Sequence, residues 1–299
     1  MKIAIIGAGK WGQALYHAFS QNNEVVINSR TPKDIENFVS LDEALSYEYL
    51  VMAIPAQSVR GWMEANFEDR GQNILVASKG IETATGAFLN EVYGSFVDLD
   101  RVAFISGPSF ATEVKKSLPT ALKISSKNLK LAKIYADALP KFIKGYVDDD
   151  VVGAEVAGAY KNVIAIAGGV CDGLELGNNA RASLISRGLV EMTRFGEHFG
   201  ARTETFLSLG GAGDLFLTAS SQLSRNYRVG LGLSQGKTLD DILEELGEVA
   251  EGIPTTKALF HIAQKENIYL PIADEVYKML EGKEPLASVQ DLLDNSSDG

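Results

Sequence analysis

The sequence predicts an α/β protein in which a doubly wound sheet domain, residues 1–149, precedes an all-helical domain, residues 150–299. Short apolar runs alternate with helix-like segments through the first half, at the spacing of βαβ units. An acidic run, Asp148–Asp150, then interrupts this pattern, and the periodicity after it is helical. A chain of 299 residues is long enough for two domains.

The first element is an apolar strand that leads into a glycine turn and a helix, in the stretch KIAIIGAGKWGQAL. Gly7, Gly9 and Gly12 fit G-x-G-x-x-G in the strand-turn-helix context where backbone N–H groups and the helix dipole receive a pyrophosphate. A second strand, Glu24–Ser29, follows at βαβ spacing, which favours a Rossmann-type dinucleotide site over a plain tight turn. Trp11 either packs against the cofactor or caps the first helix.

The end of the second strand bears on which dinucleotide binds. An NAD site usually places an acidic residue about 20 residues beyond the glycines, where it bonds the ribose hydroxyls. This chain has Asn28, Ser29 and Arg30 there. Because a guanidinium suits a 2′-phosphate, we expect NADPH to be accepted and to be preferred over NADH. The alternative is a solvated arginine at a strand end.

Further strands and helices follow in the order that a doubly wound sheet requires. Apolar runs predict strands at Tyr49–Pro55, Asn73–Lys79, Val102–Pro108, Thr120–Ser126 and Phe142–Val147. Crossover helices are expected at Leu41–Tyr47, Gln57–Asn66 and Ala87–Phe96. Since ligands of such sheets lie beyond the carboxyl ends of the strands, Lys79, Gly107, Ser109 and Ala111 are candidate contacts. A solvated loop lysine is the competing interpretation of Lys79.

The second half begins with a helix that is small or apolar from Val151 to Val170, where Glu155 and Lys161 carry the only charges. A helix that is apolar all round is buried in the middle of a molecule. A lysine there loses hydration, so we expect its pKa to fall towards the range used in proton transfer. Alternatively, Lys161 extends to the surface or pairs with an acid elsewhere in the chain.

The stretch LSLGGAGDLFLTASSQLSRNYRVGLGLSQGK contains the other candidate site. Asp214 and Thr218 are four residues apart, so they share one helix face and can point at one polar site. Ser224 is a favourable N-cap for the helix that follows it. With Arg225 and Asn226 in its first turn, this helix start predicts a phosphate site. An ordinary capped surface helix is the alternative.

Composition limits the partners and the compartment. A net charge of −11 argues against nucleic acid or an anionic membrane as partner, but an anionic small substrate fits where basic residues converge. One cysteine, Cys171, excludes an internal disulfide and fits a reducing compartment. No apolar run approaches the roughly 20 residues of a membrane span and no signal peptide is recognisable. We therefore expect a cytoplasmic protein without integral membrane association and without a metal site.

The motifs GAGKWGQAL, SKGIE, SGPSFATEV with LPTA, AYKNVIAIAGGVCDGL, NNARASLISRGL, GAGDLFLT, SRNYRVG and EGIPTTKA occur in this order over about the first 260 residues. Together they resemble the bacterial NAD(P)-dependent glycerol-3-phosphate dehydrogenases. The glycine turn is generic, whereas the lysine–asparagine helix with the Ser-Arg-Asn segment is specific. The resemblance implies interconversion of dihydroxyacetone phosphate and sn-glycerol 3-phosphate for phospholipid synthesis, with NADPH or NADH. It also implies a Rossmann-type domain followed by a helical substrate domain, in a cytoplasmic enzyme that is often a dimer.

The resemblance also implies roles for particular residues. Lys161 would be the proton donor and acceptor, Lys79 would contact substrate and nicotinamide, and Asp214 and Thr218 would organise the site. The substrate would contact Lys79, Gly107, Ser109, Lys161, Asn162, Asp214, Ser224, Arg225 and Asn226. The cofactor would contact Gly7, Gly9, Lys10, Trp11, Gly12, Arg30, Lys79, Ser109, Ala111, Arg225, Val249 and Glu251.

Two departures from the family pattern lie at the phosphate turn. Lys10 stands where a small polar residue is common, and Gln13 stands where threonine is common. Both bear on the affinity for the cofactor more than on the reaction.

Two other classes fit part of the sequence. A β-hydroxyacid dehydrogenase would share the fold and a helix lysine, but it would favour a carboxylate substrate and commonly spaces its lysine and asparagine one helical turn apart. Here Lys161 and Asn162 are adjacent. A non-enzymatic NADPH sensor would share only the first domain and would not need the lysine, aspartate and phosphate-site residues.

Overall fold

Residues 1–294, which a computed structural model of the protein describes, form two units. The first unit comprises Met1–Lys79 and Leu89–Glu155, and the second comprises Gly80–Phe88 and the residues from Val156 onwards. The sequence predicts a disordered polar tail from Asp294 to Gly299. Asp294 is the last residue of a helix, and residues 295–299 lie outside the described part. The domain limits 1–149 and 150–299 stay a prediction.

A seven-stranded sheet forms the centre of the first unit. Its strands are β1 (Lys2–Ile6), β2 (Glu24–Asn28), β3 (Tyr49–Met52), β4 (Asn73–Val76), β5 (Val102–Ser106), β6 (Thr120–Ser125) and β7 (Ile143–Asp148). Their order is β2-β1-β3-β4-β5-β6-β7. Strands β1 to β5 are parallel, β6 is antiparallel to β5, and β7 is parallel to β6. The predicted strands therefore exist, and the sheet reverses direction once.

Several predicted strands end two or three residues early, because turn residues follow them. Pro55 lies beyond the end of β3 and precedes a short 3₁₀ turn. Gly107, directly after β5, has a φ of +118°, which an extended strand does not allow. The turns place their side chains and N–H groups beyond the strand ends, where a ligand of the sheet would bind.

Helices connect the strands of the first unit: α1 (Lys10–Phe19), α2 (Leu41–Leu45), α3 (Val59–Asn66), α4 (Leu89–Gly94), α5 (Ala111–Val114) and α6 (Leu129–Ala138). Helix α1 buries Ala14, Leu15, Ala18 and Phe19 in the core of this unit, at the spacing of an amphipathic helix. Helices α2, α3 and α4 are the three predicted crossover helices, each shorter than the sequence pattern suggests.

The strand order indicates that a ligand would bind at the edge of the sheet formed by the carboxyl ends of the parallel strands. The connection from β1 leads to β2 on one side of it, and the connection from β2 crosses to β3 on the other side, so a crevice opens at this switch point beside β1. The carboxyl ends of the parallel strands β1 to β5 all lie at the edge where this crevice opens. The glycine turn, Arg30, Lys79 and the segment after β5 follow these ends, so the sequence places its cofactor candidates on one edge.

The second unit is built of helices. Helix α7 (Val151–Gly173) begins in the first unit and continues into the second. It is followed by α8 (Gly177–His198), α9 (Thr203–Phe206), α10 (Asp214–Ala219), α11 (Arg225–Ser234), α12 (Leu239–Leu246), α13 (Gly252–Glu266), α14 (Pro271–Leu280) and α15 (Pro285–Asp294). Between residues 149 and 294 no strand occurs, so the predicted fold class is confirmed. In the described part of the chain, none of the helices combines the length and apolarity needed to cross a membrane.

Glycines allow α7 and α11 to cross with their backbones in contact. A Cβ on Gly169 would lie 2.0 Å from the carbonyl oxygen of Tyr227, and a Cβ on Gly230 would lie 1.9 Å from that of Ile166. No larger residue fits either position without moving a helix. The small residues that the sequence shows in α7 therefore serve close helix packing.

The acidic run before α7 has local structural roles. The Asp148 carboxylate pairs with Lys123 Nζ at 2.5 Å. The Gly153 N–H donates to Asp150 Oδ1 at 2.9 Å, which satisfies one of the free N–H groups at the start of α7. These aspartates thus end the sheet and begin the long helix.

Candidate functional site

Lys161 and Asp214 form a buried ion pair in the second unit. Lys161 Nζ donates to Asp214 Oδ1 at 2.6 Å and to Thr218 Oγ1 at 3.1 Å. The Thr218 hydroxyl lies 3.3 Å from the same carboxylate oxygen. Lys161 is 7% exposed, Asp214 1% and Thr218 5%, so the three groups are nearly shielded from water. The structure thus brings the predicted lysine of α7 into contact with the predicted polar face of α10.

Local sequence explains why α10 presents its polar pair. Asp214 and Thr218 are one turn apart in α10, so they face the same way. Asp214 is also in the first turn of α10, where a negative charge is favoured by the helix dipole. The π-helical turn Leu209–Gly213 leads into it, and a Cβ on Gly211 would lie 2.1 Å from the Phe206 carbonyl oxygen.

Opposing electrostatic effects act on the Lys161 ammonium. Burial disfavours the charged form, whereas the adjacent Asp214 carboxylate favours it. Lys161 does not extend to the surface, and it does pair with an acid, as one of the alternatives for this residue predicts. The pair can exchange a proton with a group placed against Nζ, which is the chemistry of a general acid.

Asn162 and Asn226 lie beside the start of α13. Asn226 Oδ1 accepts from the Gly252 N–H at 2.9 Å, and Asn162 Nδ2 donates to Gly158 O at 3.3 Å. A Cβ on Gly252 would lie 2.8 Å from both Asn162 O and Asn226 Oδ1. The glycine therefore lets α13 approach, and with it Glu251, the residue directly before this helix.

Ser224 and Arg225 form the start of α11. Ser224 Oγ accepts from the Tyr227 N–H at 3.2 Å, so the predicted N-cap is confirmed. Arg225 is the first residue of the helix, and its Nη1 lies 3.6 Å from Glu248 Oε2. The Arg225 side chain is 43% exposed, so it can reach a ligand. A guanidinium at a helix N-terminus suits a phosphate.

No motif in the sequence singles out Glu248. It lies directly before Val249, in the same short loop as Glu251, and this position is the signal that the sequence offers. Its partner Arg225 lies 23 positions away in the chain, so neither spacing nor local pattern could reveal the pair.

The glycine turn of the first unit fits a dinucleotide phosphate. Gly7 has a φ of +108° and its N–H donates to Asn28 O at 2.8 Å. A Cβ on Gly7 would lie 2.4 Å from Ala53 O, and one on Gly12 would lie 1.8 Å from Gly7 O. A Cβ on Gly9 would meet nothing within 4 Å. Two glycines thus serve the packing of the chain itself, and the third leaves space for a ligand at the start of α1.

The remaining first-unit candidates follow the carboxyl ends of their strands. Arg30 is exposed beyond β2, and Lys79 is half-buried beyond β4. After β5, Ser109 Oγ donates to Gly107 O at 3.0 Å, and Ala111 begins α5. All of them lie on the edge that carries the glycine turn.

The first residues of α1 include both departures from the family pattern. Lys10 is exposed, and Trp11 is partly buried against the core of the first unit. Gln13 Nε2 donates to Ala8 O at 3.0 Å, and Gln13 Oε1 accepts from Lys115 Nζ at 2.7 Å. The glutamine therefore links the glycine turn to the residue that follows α5.

The structure places the predicted residues in two sets, one in each unit. The set in the second unit is Lys161, Asn162, Asp214, Thr218, Ser224, Arg225, Asn226, Val249 and Glu251. The set in the first unit is Gly7, Gly9, Lys10, Trp11, Gly12, Arg30, Lys79, Gly107, Ser109 and Ala111. Within residues 1–294, no group of three or more His, Cys, Asp or Glu side chains is arranged to hold a metal ion.

Two buried carboxyl groups outside these sets have raised pKa values. Burial raises the pKa of Glu155 to about 8, although its Oε1 accepts from the Asn90 N–H at 2.8 Å. Burial likewise raises the pKa of Glu191 to about 7. Glu191 accepts from the Ile272 N–H at 2.7 Å and from the Tyr160 hydroxyl at 2.9 Å. Each carboxyl satisfies N–H groups at a helix start, α4 for Glu155 and α14 for Glu191.

A glycine turn at the switch point of a doubly wound sheet, followed by a helical unit with a buried lysine–carboxylate pair, defines a nucleotide-dependent dehydrogenase of two parts. Residues 19–132 match the family profile described as NAD-dependent glycerol-3-phosphate dehydrogenase N-terminus, and residues 150–291 match that of the C-terminus. The chain belongs to the NAD-dependent glycerol-3-phosphate dehydrogenase family, as its motifs predict.

Whole-chain comparisons agree with the family profiles. The chain is 60% identical over 294 residues to glycerol-3-phosphate dehydrogenase [NAD(P)+] of Sulfurimonas denitrificans, covering 98% of this chain and 99% of the relative. It is 59% identical to the Nitratiruptor sp. protein of the same name, covering both chains completely. The crystal structure of glycerol-3-phosphate dehydrogenase from Coxiella burnetii superposes with a TM-score of 0.90 at 34% identity, covering 98% of this chain and 99% of that one.

Proposed function

We propose that this protein catalyses the NAD(P)-dependent interconversion of dihydroxyacetone phosphate and sn-glycerol 3-phosphate. The observation that carries the proposal is the buried Lys161–Asp214 pair with its Thr218 hydroxyl, set in a family whose members bear the name of this reaction. The product would supply phospholipid synthesis, in the cytoplasm.

Lys161 would act as the general acid and base. When bound, the nicotinamide supplies or accepts the hydride at C2 of the substrate. As negative charge develops on the C2 oxygen, Lys161 Nζ gives that oxygen a proton, and in the reverse direction it takes the proton back. Asp214 and Thr218 keep Nζ oriented and favour the ammonium before the transfer. Lys79 would stabilise the same oxygen or the phosphate, and would also contact the nicotinamide.

The start of α11 would hold the substrate phosphate. Arg225 offers a guanidinium fork, Asn226 offers an amide, and the helix N-terminus offers N–H groups. Ser224 shapes this start by capping it. The other substrate contacts would be Asn162, Gly107 and Ser109. A phosphate bound there fixes the position of C2 relative to Lys161, and such positioning is a large part of catalysis.

The first unit would hold the dinucleotide, with residues 1–149 as the cofactor domain and residues 150–299 as the substrate domain. Gly7, Gly9 and Gly12 would receive the pyrophosphate at the start of α1. Arg30 would meet a 2′-phosphate, so NADPH would be preferred over NADH. The other predicted cofactor contacts are Lys10, Trp11, Lys79, Ser109, Ala111, Arg225, Val249 and Glu251. A homodimer is part of the proposal and is tested by light scattering after gel filtration.

The test is the oxidation of NADPH, followed by absorbance, with dihydroxyacetone phosphate and in parallel with dihydroxyacetone. Turnover that requires the phosphate supports both the reaction and the anion site. A parallel assay with NADH tests Arg30, and equal kcat/KM for the two cofactors would refute the preference. Turnover on β-keto acids without turnover on the phosphorylated ketone would instead indicate a β-hydroxyacid dehydrogenase.

Substitutions of Lys161 and Arg225 separate the roles assigned to these two residues. Lys161→Ala should lower kcat by about 10²- to 10⁴-fold, the usual contribution of a general acid, and near-normal turnover would contradict its role. Lys133→Ala, an exposed lysine of α6, is the control. Arg225→Ala should mostly raise KM for the phosphorylated substrate, and Arg225→Lys, which keeps the charge but loses the fork, should raise it less. An unchanged KM would place the phosphate elsewhere.

A further inference from the structure

The peptide group between Ala8 and Gly9 lies in the middle of the glycine turn, and a side chain restrains it. Gln13 Nε2 donates to the Ala8 carbonyl oxygen at 3.0 Å, across five residues. In a trans peptide the C=O and the next N–H point in opposite directions. A bond that fixes the Ala8 carbonyl therefore also fixes the direction of the Gly9 N–H.

Restraints act on the inner side of the turn, where the Gly7 N–H donates to Asn28 O at 2.8 Å and the Ala8 side chain is buried in the core. The outer side is different, because Gly9 tolerates a wide range of backbone angles. Nothing lies within 4 Å of the Cβ position of Gly9, so packing does not hold the outer side of the turn. The Gln13 amide supplies the restraint that packing does not.

The Gln13 amide is itself oriented by a second contact. Its Oε1 accepts from Lys115 Nζ at 2.7 Å, while its Nε2 faces the Ala8 carbonyl. Rotating the amide by half a turn would set two donors against each other and two acceptors against each other, so only one orientation is stable. Lys115 directly follows α5, the helix that begins at Ala111. One amide thus ties the glycine turn to the end of α5.

We propose that Gln13 is a positioning residue for the cofactor: it aims the Gly9 N–H at the pyrophosphate, and Lys115 holds its amide in register. This inference rests on the proposed function only in taking the glycine turn as the dinucleotide site. A threonine, common at this position in the family pattern, carries one short hydroxyl and cannot bridge Ala8 and Lys115 together. The departure at Gln13 is therefore part of how this chain binds its cofactor.

The test measures the Kd for NADPH in the absence of substrate, from the fluorescence of the bound nicotinamide. Gln13→Met keeps the length of the side chain and removes both contacts, so the Kd should rise about tenfold, as expected for one lost hydrogen bond. Lys115→Met removes only the outer contact and should raise the Kd about two- to threefold. Gln21→Met is the matched control. Gln21 lies just beyond the end of α1, and its Nε2 donates to His17 O at 3.4 Å, away from the glycine turn. The Kd of this variant for NADPH should not change.

A second readout distinguishes positioning from general destabilisation. The amide NMR signal of Gly9 should shift in cofactor-free Gln13→Met relative to the wild type, while the Tm falls by no more than about 2–4 °C and the KM for dihydroxyacetone phosphate is unchanged. Gln13→Glu keeps an acceptor for Lys115 but cannot donate to Ala8, so its Kd should rise as well. A Kd within twofold of wild type in Gln13→Met would overturn the inference. Weakening in Gln13→Met but not in Gln13→Glu would also overturn it, because the Lys115 contact alone would then matter.

Failure of this inference and failure of the proposed function give different results. A wild-type protein that binds NADPH but does not reduce dihydroxyacetone phosphate would refute the function, while the Kd of Gln13→Met still decides the role of Gln13. Normal turnover with an unchanged Kd in Gln13→Met would refute the inference alone. A wild-type chain that binds neither NADPH nor NADH would overturn both.

Discussion

Replacing Lys161 by methionine while Asp214 stays in place would leave a carboxylate inside the second unit without its ammonium partner. The two groups are 2.6 Å apart, with side-chain exposures of 8% and 2%. Breaking a buried pair by removing one partner costs about 3–5 kcal/mol, because the remaining charge is desolvated and uncompensated. We expect the free energy of unfolding of Lys161→Met to fall by that amount.

The double variant Lys161→Met with Asp214→Asn also removes the negative charge of Asp214. We expect it to regain most of the lost stability, to within about 2 kcal/mol of the wild type, because buried ion pairs and neutral groups of similar volume are often equivalent. Its activity should stay as low as that of the single variant, since Lys161, the proposed proton donor, is missing in both. Stability and catalysis are thereby separated in one pair of proteins.

The assay is urea unfolding followed by far-ultraviolet circular dichroism, with NADPH oxidation measured in parallel. The Lys133–Asp137 pair of α6 is the control, because its side chains are 67% and 64% exposed at 2.9 Å. Lys133→Met should change the free energy of unfolding by less than about 1 kcal/mol. A double variant no more stable than Lys161→Met would contradict this explanation, because the cost would then not come from the loss of the Lys161 charge beside Asp214.

Four further substitutions test helix packing, the titration of Glu155 and the role of the Thr218 hydroxyl. Gly230→Ala should lower the free energy of unfolding by about 2 kcal/mol or more, because the added Cβ would lie 1.9 Å from Ile166 O. Gly61→Ala is the control: its Cβ would enter open space, so it should raise the free energy of unfolding by up to about 1 kcal/mol. Urea unfolding of both variants is the measurement. Burial raises the pKa of Glu155 from an ordinary value of 4.5 to about 8, so the stability that its neutral form contributes is complete below pH 4.5 and is lost as pH rises through 8. Relative to Glu155→Gln, the wild type should lose up to about 1.4 kcal/mol per pH unit across that window, and parallel pH curves would argue against a buried neutral carboxyl. Thr218→Val should lower kcat several-fold with little change in KM, because its hydroxyl contacts Lys161 Nζ and no predicted phosphate ligand; initial rates at saturating substrate are the measurement.

The strands could be predicted from the sequence, but not the direction of β6 and β7, which run opposite to β1–β5. Fully apolar runs mark β3, β4 and β5 as strands covered on both faces, whatever their orientation. The connection between β5 and β6, residues 107–119, is long enough for a parallel crossover, yet β6 pairs antiparallel. Composition does not encode direction, so only the folded chain reveals it.

The candidate site divides in the same way between local and distant features. The N-cap Ser224 and the common face of Asp214 and Thr218 follow from spacing within one helix, and the structure has both. The contact between Lys161 and Asp214 spans 53 residues, so no local rule gives it, and it was expected only from the family resemblance. The sequence marked Gln13 as unusual but could not show which groups its amide would reach.

The glycine crossing of α7 and α11 has a consequence for substrate choice. Since Gly169 and Gly230 bring the two backbones into contact, the helix that carries Lys161 and the helix start that carries Arg225 shift together or not at all. Under the proposed function, the crossing fixes the distance between the backbone that carries the proton donor and the backbone that binds the phosphate. Ketones with one carbon more or fewer between carbonyl and phosphate should therefore fit the spacing between Lys161 and Arg225 less well, because the two helices do not move apart to accommodate them.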